Sequence, residues 1–131
     1  RAIYRYIVEH TSYDSRYYQD PNALPYESRT AYGPLKYGTA ICGGFSWAFN
    51  MLCQEAGIPC WNVTGVAAGE EHMWNCARMD GEYRYFDTTW DAGITNEAQW
   101  RYFACTEAEI TQNHQWGPGQ EELIHALTDA K

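Results

Sequence analysis

Apolar residues at Phe45, Ala48, Phe49, Leu52 and Ala56 recur with the i, i+3, i+4, i+7 spacing of a helix that buries one face. The pattern predicts a helix over about 41–56. Gly57 suits the left-handed position after a last helical turn, and Pro59 cannot extend the helix further. Ile3, Tyr4, Ile7 and Val8 repeat the same spacing and predict a second helix within residues 1–10. A loop marked by Asp20-Pro21-Asn22 and Pro25 follows Tyr17-Tyr18.

Beyond Pro59 the pattern changes to that of strands. Cys60–Ala67, His72–Met79 and Glu82–Asp87 read as strands, and Asp80-Gly81 is a two-residue hairpin signal between the last two. With that turn, Met79 stands opposite Glu82, Cys76 opposite Tyr85, Trp74 opposite Asp87 and His72 opposite Thr89. Opposed residues share a face, as do residues two apart on one strand, so His72 and Asp87 become diagonal neighbours within side-chain reach. Thr106-Glu107-Ala108-Glu109 fits a capping box opening a short helix to about His114. Trp116-Gly117-Pro118-Gly119 ends it, and residues 120–127 read as one more helix. At 131 residues the chain reads as a single domain, residues 1–131, long enough for its own core.

Composition narrows the function. A net charge of −8 supplies nothing to neutralise phosphates, which argues against nucleic acid and anionic membranes as partners. No apolar run is long enough to span a bilayer, so no membrane insertion is expected. Eleven Tyr and six Trp bring aromatic residues to 16%, a load that suits a core and also a cleft gripping an extended polymer. Cysteines at 42, 53, 60, 76 and 105 include no Cys-x-x-Cys pair, so no metal site is expected. Their odd number leaves open two, one or no disulfides. The chain starts at Arg1 rather than Met, as expected for a processed fragment, a monomeric domain of a larger protein.

Cys42 carries the chemistry. It stands at the start of the 41–56 helix, where backbone N–H groups point outward and favour an anion. A thiol nucleophile needs an imidazole to take its proton, and the imidazole needs an acceptor to fix its orientation. His72 and Asp87 are of those types, and the hairpin parity puts them together. Cys53, Cys60 and Cys76 read as buried apolar residues, and His10, His114 and His125 as structural histidines. Glu70 and Glu71 read as a solvated loop before His72. Trp74, on the His72 face, either lines the acyl site or packs in the core. The helix-start N–H of Cys42 is one oxyanion donor; the second is not identifiable beyond an upstream aromatic residue or Gln.

These residues also carry a resemblance. Gly38-Thr39-Ala40-Ile41-Cys42-Gly43-Gly44-Phe45-Ser46-Trp47-Ala48 resembles the nucleophile segment of the transglutaminase-like superfamily. Ala56-Gly57-Ile58-Pro59-Cys60 resembles its helix-to-strand junction, and His72-Met73-Trp74-Asn75 and Phe86-Asp87-Thr88-Thr89-Trp90-Asp91 its histidine and aspartate motifs. The core of the match covers about residues 36–91, and looser similarity to bacterial members extends outward. The resemblance implies a papain-like α+β fold, with the nucleophile helix packed on an antiparallel sheet. It implies Cys42 as nucleophile, His72 as base and acid, and Asp87 as orienter. Many bacterial members carry Gln where this chain has Gly43, which alters the floor of the substrate-binding cleft. The calcium-binding and flanking β-domains of animal transglutaminases find no room in this length, and no cofactor is expected.

The expected function is thiol-dependent acyl transfer on peptide or other amide bonds, by a cysteine peptidase or amidase. Trp74 and Gly43 are the expected substrate contacts, and the partner is a peptide or protein, a cell-wall peptide included. The resemblance to bacterial members makes an extracellular or cell-surface location the expectation. Protein-glutamine transglutamination is the alternative within the same chemistry. A non-catalytic peptide- or glycan-binding module is the alternative outside it.

Overall fold

A computed structural model describes residues 1–129. Helix α1 (Ala2–His10) turns Tyr4, Ile7 and Val8 inward, as the sequence spacing predicts. A two-residue strand β1 (Ser12–Tyr13) pairs in parallel with β2 (Thr39–Ala40). Between them lie the short helix α2 (Arg16–Gln19) and a series of tight turns. Helix α3 (Cys42–Glu55) buries Phe45, Ala48, Phe49 and Cys53. Together with Tyr4, Ile7, Val8, Ala77 and Phe86 these form the first core. Full burial of each large apolar side chain there contributes roughly 1.5–3 kcal/mol of transfer free energy.

Strands β3 (Cys60–Ala67), β4 (Glu70–Met79), β5 (Glu82–Phe86) and β6 (His114–Trp116) form a four-stranded antiparallel sheet in the order β5-β4-β3-β6. Met79 pairs with Glu82 and Cys76 with Tyr85, the expected hairpin register. Asp80 and Gly81 have φ of 53° and 82°, the left-handed pair that a tight hairpin turn requires. The ladder ends at Phe86, however, one residue before the expected Trp74–Asp87 pair. The Asp87 amide donates instead to the Tyr102 carbonyl at 3.0 Å, because the Tyr102–Cys105 segment takes over that edge. Glu70 and Glu71 belong to β4 rather than to a loop, paired with Ala67 and Val66.

The C-terminal third departs further from expectation. Thr106 and Glu109 do form the capping box, but helix α4 (Glu107–Ile110) ends after one turn. His114, expected at the end of that helix, instead opens β6 and pairs with Ala67 of β3. A three-residue edge strand is too short to show an alternation in sequence. Helix α5 (Gln120–Asp129) places Ile124 in a second core with Val63, Trp74, Cys76, Tyr85, Cys105 and Ile110. No described helix is long and apolar enough to cross a membrane. All five cysteines are free thiols.

Two polar arrangements fix the start of α3. Ser46 Oγ donates to Asn62 Oδ1 at 2.8 Å or to the Trp74 carbonyl at 3.0 Å. Asn75 Nδ2 donates to the Ser46 carbonyl at 3.2 Å and to Asn62 Oδ1 at 3.0 Å, tying α3 to both central strands. On the other side, the buried Asp14 carboxylate accepts from Arg16 Nε and from Ser28 Oγ, at 2.8 and 2.6 Å. These bonds hold it down at a pKa of about 2, against the usual carboxylate value, despite its burial. The Ser28 carbonyl accepts from the Ile41 amide at 2.9 Å, so the anchored turn positions the residue before Cys42.

Gly44 is required by this packing. A Cβ there would lie 2.6 Å from the Ser28 carbonyl oxygen and 2.8 Å from the Ala40 Cβ, both parts of a fixed scaffold. At Gly43 the nearest atom would be the Arg29 carbonyl oxygen at 3.6 Å, an ordinary contact. Gly44→Ala is therefore expected to destabilise by about 1–3 kcal/mol through overpacking. Gly43→Ala, in the helix interior, is expected to be neutral or to stabilise by up to ~1 kcal/mol. Urea unfolding of the two variants measures the difference, and equal midpoints would show that the α3 start is not tightly packed.

Candidate active site

Cys42 is the first helical residue of α3, preceded by Ile41 in extended conformation. Its N–H is one of the donors a helix start leaves unpaired within the helix. No side-chain cap competes for that position. The half-buried thiol lines the same cleft as the imidazole of His72 from β4 and is near enough to act on its protonation. His72 Nε2 lies 2.7 Å from Asp87 Oδ2. Asp87 follows β5 and is only 1% exposed. Nε2 faces the carboxylate, so Nδ1 is the nitrogen left for Cys42. The structure brings Cys42, His72 and Asp87 together in that order, although the ladder stops short of Asp87.

The electrostatics follow from the contacts. Burial pushes the Asp87 pKa up, but hydrogen bonds from His114 and His72 outweigh it and hold the carboxyl below its ordinary value. Burial pushes His72 down, yet the bonds with Asp87 and Cys42 raise it from 6.5 to about 9. An ionised carboxylate only accepts hydrogen bonds, so the imidazole nitrogens facing it carry protons.

His114 is the residue that sequence reasoning misses. Read there as a structural histidine, it lies with Nε2 2.8 Å from Asp87 Oδ2, the same oxygen that His72 uses. Its Nδ1 is 2.7 Å from Asn113 Oδ1, which accepts from it. Asn113 Nδ2 donates to the Tyr102 hydroxyl at 3.1 Å. The signal is weak in sequence because the strand that delivers His114 is so short. His10 and His125 lie apart from this group: His10 bonds the Tyr6 carbonyl and His125 the Glu107 carboxylate.

Three ligand-type atoms of His72, Asp87 and His114 lie within 4.8 Å of one another, as do those of Glu107, Glu121 and His125. In the first group both imidazoles already point a proton at one carboxylate oxygen, so the arrangement is a hydrogen-bonded network rather than an ion's shell. The second contains the His125–Glu107 ion pair, both partners 41% exposed, in which solvent and the pair itself satisfy the charges.

Around His72 the shell is aromatic. Ring centroids of Trp90 and Trp74 lie 5.3 and 6.0 Å from the imidazole. Trp74 is 2% exposed, so it backs the imidazole from the second core and has no surface to offer a substrate. This corrects its placement among substrate contacts: strand alternation sets the face it shares with His72, and the packing of the second core over that face buries it. Trp90 donates its backbone N–H to Asp87 Oδ1 at 3.2 Å. Asp91 accepts from the Tyr4 hydroxyl at 2.6 Å and the Tyr102 amide at 2.9 Å, ordering the loop after Asp87.

A cleft of about 810 Å³ opens over Cys42 and His72. Gly43 is among its lining residues, and Tyr13, Tyr17, Tyr18 and Trp47 add aromatic rings to it. Trp47 is 50% exposed. Glu70 and Glu71 stand on the cleft together with Thr64–Ala68, and Arg29 stands there too. Gly117 and Pro118 complete it, a contribution that follows from the unforeseen β6.

Comparison with known proteins bears on the family and the fold. The family model described as the transglutaminase-like superfamily matches residues 1–116. Kyphoscoliosis peptidase of Mus musculus is 27% identical over 111 residues, covering 73% of this chain and 16% of that protein. The Homo sapiens protein of the same name matches to the same extent. The chain thus spans about a sixth of the length of these curated relatives. Among solved structures, a TGase superposes with a TM-score of 0.58 at 22% identity, over 80% of this chain and 28% of that one. A proposed cysteine protease from Cytophaga hutchinsonii gives 0.54 at 23%, over 67% and 29%. Both carry the papain-like arrangement of helix on antiparallel sheet, which is the fold described above.

Because its folded pKa lies above 6.5, His72 contributes stability that is fully present below about pH 6.5 and lost as pH rises through about 9. NMR titration of the His72 ring is expected to show this midpoint near 9. In Asp87→Asn the anion is gone, and the midpoint is expected to fall by more than about one unit. A midpoint near 6.5 in both proteins would mean that the Asp87 bond does not act on His72.

Proposed function

As the chain belongs to the transglutaminase-like superfamily, we propose that it is a cysteine peptidase or amidase in which Cys42 attacks the carbonyl carbon of an amide. The observation that carries this reading is the line from the Cys42 thiol through His72 to Asp87 Oδ2, with 2.7 Å between imidazole and carboxylate. The name of the mouse and human relatives supports the peptidase reading.

The steps follow from the atoms present. The Cys42 thiol gives its proton to His72 Nδ1, and the thiolate forms a bond to the substrate carbonyl carbon. The carbonyl π-electrons move to oxygen, where the Cys42 N–H at the helix start stabilises the negative charge. Collapse re-forms the carbonyl and breaks the C–N bond, and the imidazolium returns its proton to the leaving amine. A thioester remains. Water then loses a proton to His72, adds to the thioester carbon and releases the acid, and the proton returns to Cys42. Asp87 keeps the imidazole oriented and stabilises its charged form in both halves.

A second oxyanion donor comes from β1. Tyr13 lines the cleft beside Cys42, and burial pushes its hydroxyl pKa well up, so it stays protonated and able to donate. The substrate is an extended polypeptide segment laid along the half-buried Tyr17 and the exposed Tyr18 and Trp47, whose flat rings hold chain without selecting one sequence. Transfer to an amine in place of water is the second reading, favoured by the likeness to the TGase structure.

Iodoacetamide near neutral pH is expected to alkylate Cys42 at least about tenfold faster than the four buried cysteines, and His72→Ala is expected to remove the difference. Uniformly slow modification of all five thiols would sink the enzyme reading. With a peptide-amide donor, released acid rather than amine-linked product supports hydrolysis; preferential amine linkage would replace it with transamidation. Tyr13→Phe is expected to lower kcat about 10–100-fold with KM little changed. An unchanged kcat would remove Tyr13 from the oxyanion site.

A further inference from the structure

His114 sits where no substrate reaches, yet it spends both ring nitrogens on the candidate site. It is 1% exposed and packs among Trp90, Trp74 and Tyr102, with ring centroids at 4.6, 4.8 and 5.8 Å. An apolar residue would fill that space at no desolvation cost, so its nitrogens need a reason. Their partners supply one. Nε2 meets Asp87 Oδ2 at 2.8 Å, and Nδ1 meets the Asn113 amide at 2.7 Å.

We propose that His114 is a positioning residue: its Nε2–H locks the Asp87 carboxylate in the orientation and ionisation that orient His72, and the Asn113–Tyr102 pair locks His114. This rests on the reading of Cys42, His72 and Asp87 as the reacting group.

The carboxylate shows what the lock does. Oδ1 accepts from the Trp90 amide, and Oδ2 accepts from both imidazoles, so rotation about the Cβ–Cγ bond would break three bonds at once. Without His114, Oδ2 would keep only the bond to a base that must itself change charge during turnover. The titratable groups facing His114 are Asp87, His72 from β4 and Tyr102; Trp74, Trp90 and Asn113 complete its surroundings without charge. Of the hydrogen bonds that hold Asp87 ionised against full burial, the one from His114 is the strongest contributor.

The donor role survives either state of the ring. As the amide is placed, Asn113 Oδ1 accepts from Nδ1–H and Asn113 Nδ2 donates to the Tyr102 hydroxyl. When Nδ1 carries no proton the amide turns over, so that its nitrogen donates to Nδ1 and its oxygen accepts from the Tyr102 hydroxyl. Nε2 carries its proton toward Asp87 in both, since an ionised carboxylate cannot donate.

Three measurements test this. In His114→Leu the acid limb of Cys42 alkylation against pH is expected to move up by at least half a unit, and kcat to fall about tenfold with KM unchanged. His114→Gln, whose side-chain amide offers a donor at a similar reach, is expected to restore the limb. A merely structural histidine would give two destabilised variants whose limbs stay with the wild type, which overturns the proposal. The third needs no variant: ¹⁵N shifts of the wild-type His114 ring should show Nε2 protonated throughout pH 5–9, and an Nδ1–H tautomer there overturns it. If Cys42 proves no more reactive than the other thiols, the enzyme reading fails, while the tautomer still decides whether His114 donates to Asp87.

Discussion

A carboxylate with no access to water constrains this protein more than any other group. Removing an ionised Asp from solvent costs several kcal/mol unless every oxygen is engaged. Asp87 is engaged by Trp90 on one oxygen and by two imidazoles on the other. Those donors come from the turn after β5, from β4 and from β6, so three separate parts of the chain must converge before the charge is tolerable. The return of β6 along β3 is the long-range event that delivers the last of them. The aromatic residues around the imidazoles exclude water from these bonds, which strengthens them and makes the loss of any one more costly.

The Cys42 end of the candidate site has a different foundation. Cys42 owes its place to a helix that packs against the sheet through Phe45, Phe49 and the Ser46–Asn62–Asn75 bonds. Its start is pressed against the Ser28 turn, which Asp14 holds from below. Gly44 admits the backbone there, while Gly43, with room beside it, lines the cleft. Two neighbouring glycines thus serve different ends: one lets chain pack on chain, and one leaves space for something else.

The division between the cores follows the division of labour. The first core joins α1 and α3 to the sheet and sets the position of the thiol. The second lies under Trp74 and Tyr85 and backs His72 and His114. Tyr4 links the two by donating to Asp91 and to the Asp87 carbonyl from within the first core. The Cys42 thiol and the His72 imidazole therefore sit on separately packed halves, and the cleft lies between them.

Local patterns in the sequence determined much of this. The α3 stripe, the Gly57-Pro59 stop and the Asp80-Gly81 turn were legible because each is a rule about residues near one another. The same holds for Cys42 at a helix start and for His72 facing toward Asp87, since hairpin parity carries short-range information across two strands. The sequence motifs were also enough to indicate the superfamily. Tertiary structure alone decided how far the β4–β5 ladder runs, because the Tyr102 carbonyl competes for the Asp87 amide from fifteen residues away. It alone buried Trp74, which strand alternation could place on a face but not inside or outside. And it alone brought His114 to Asp87: a lone histidine on a three-residue edge strand carries no periodic signal, and its partner is chosen by where the chain returns.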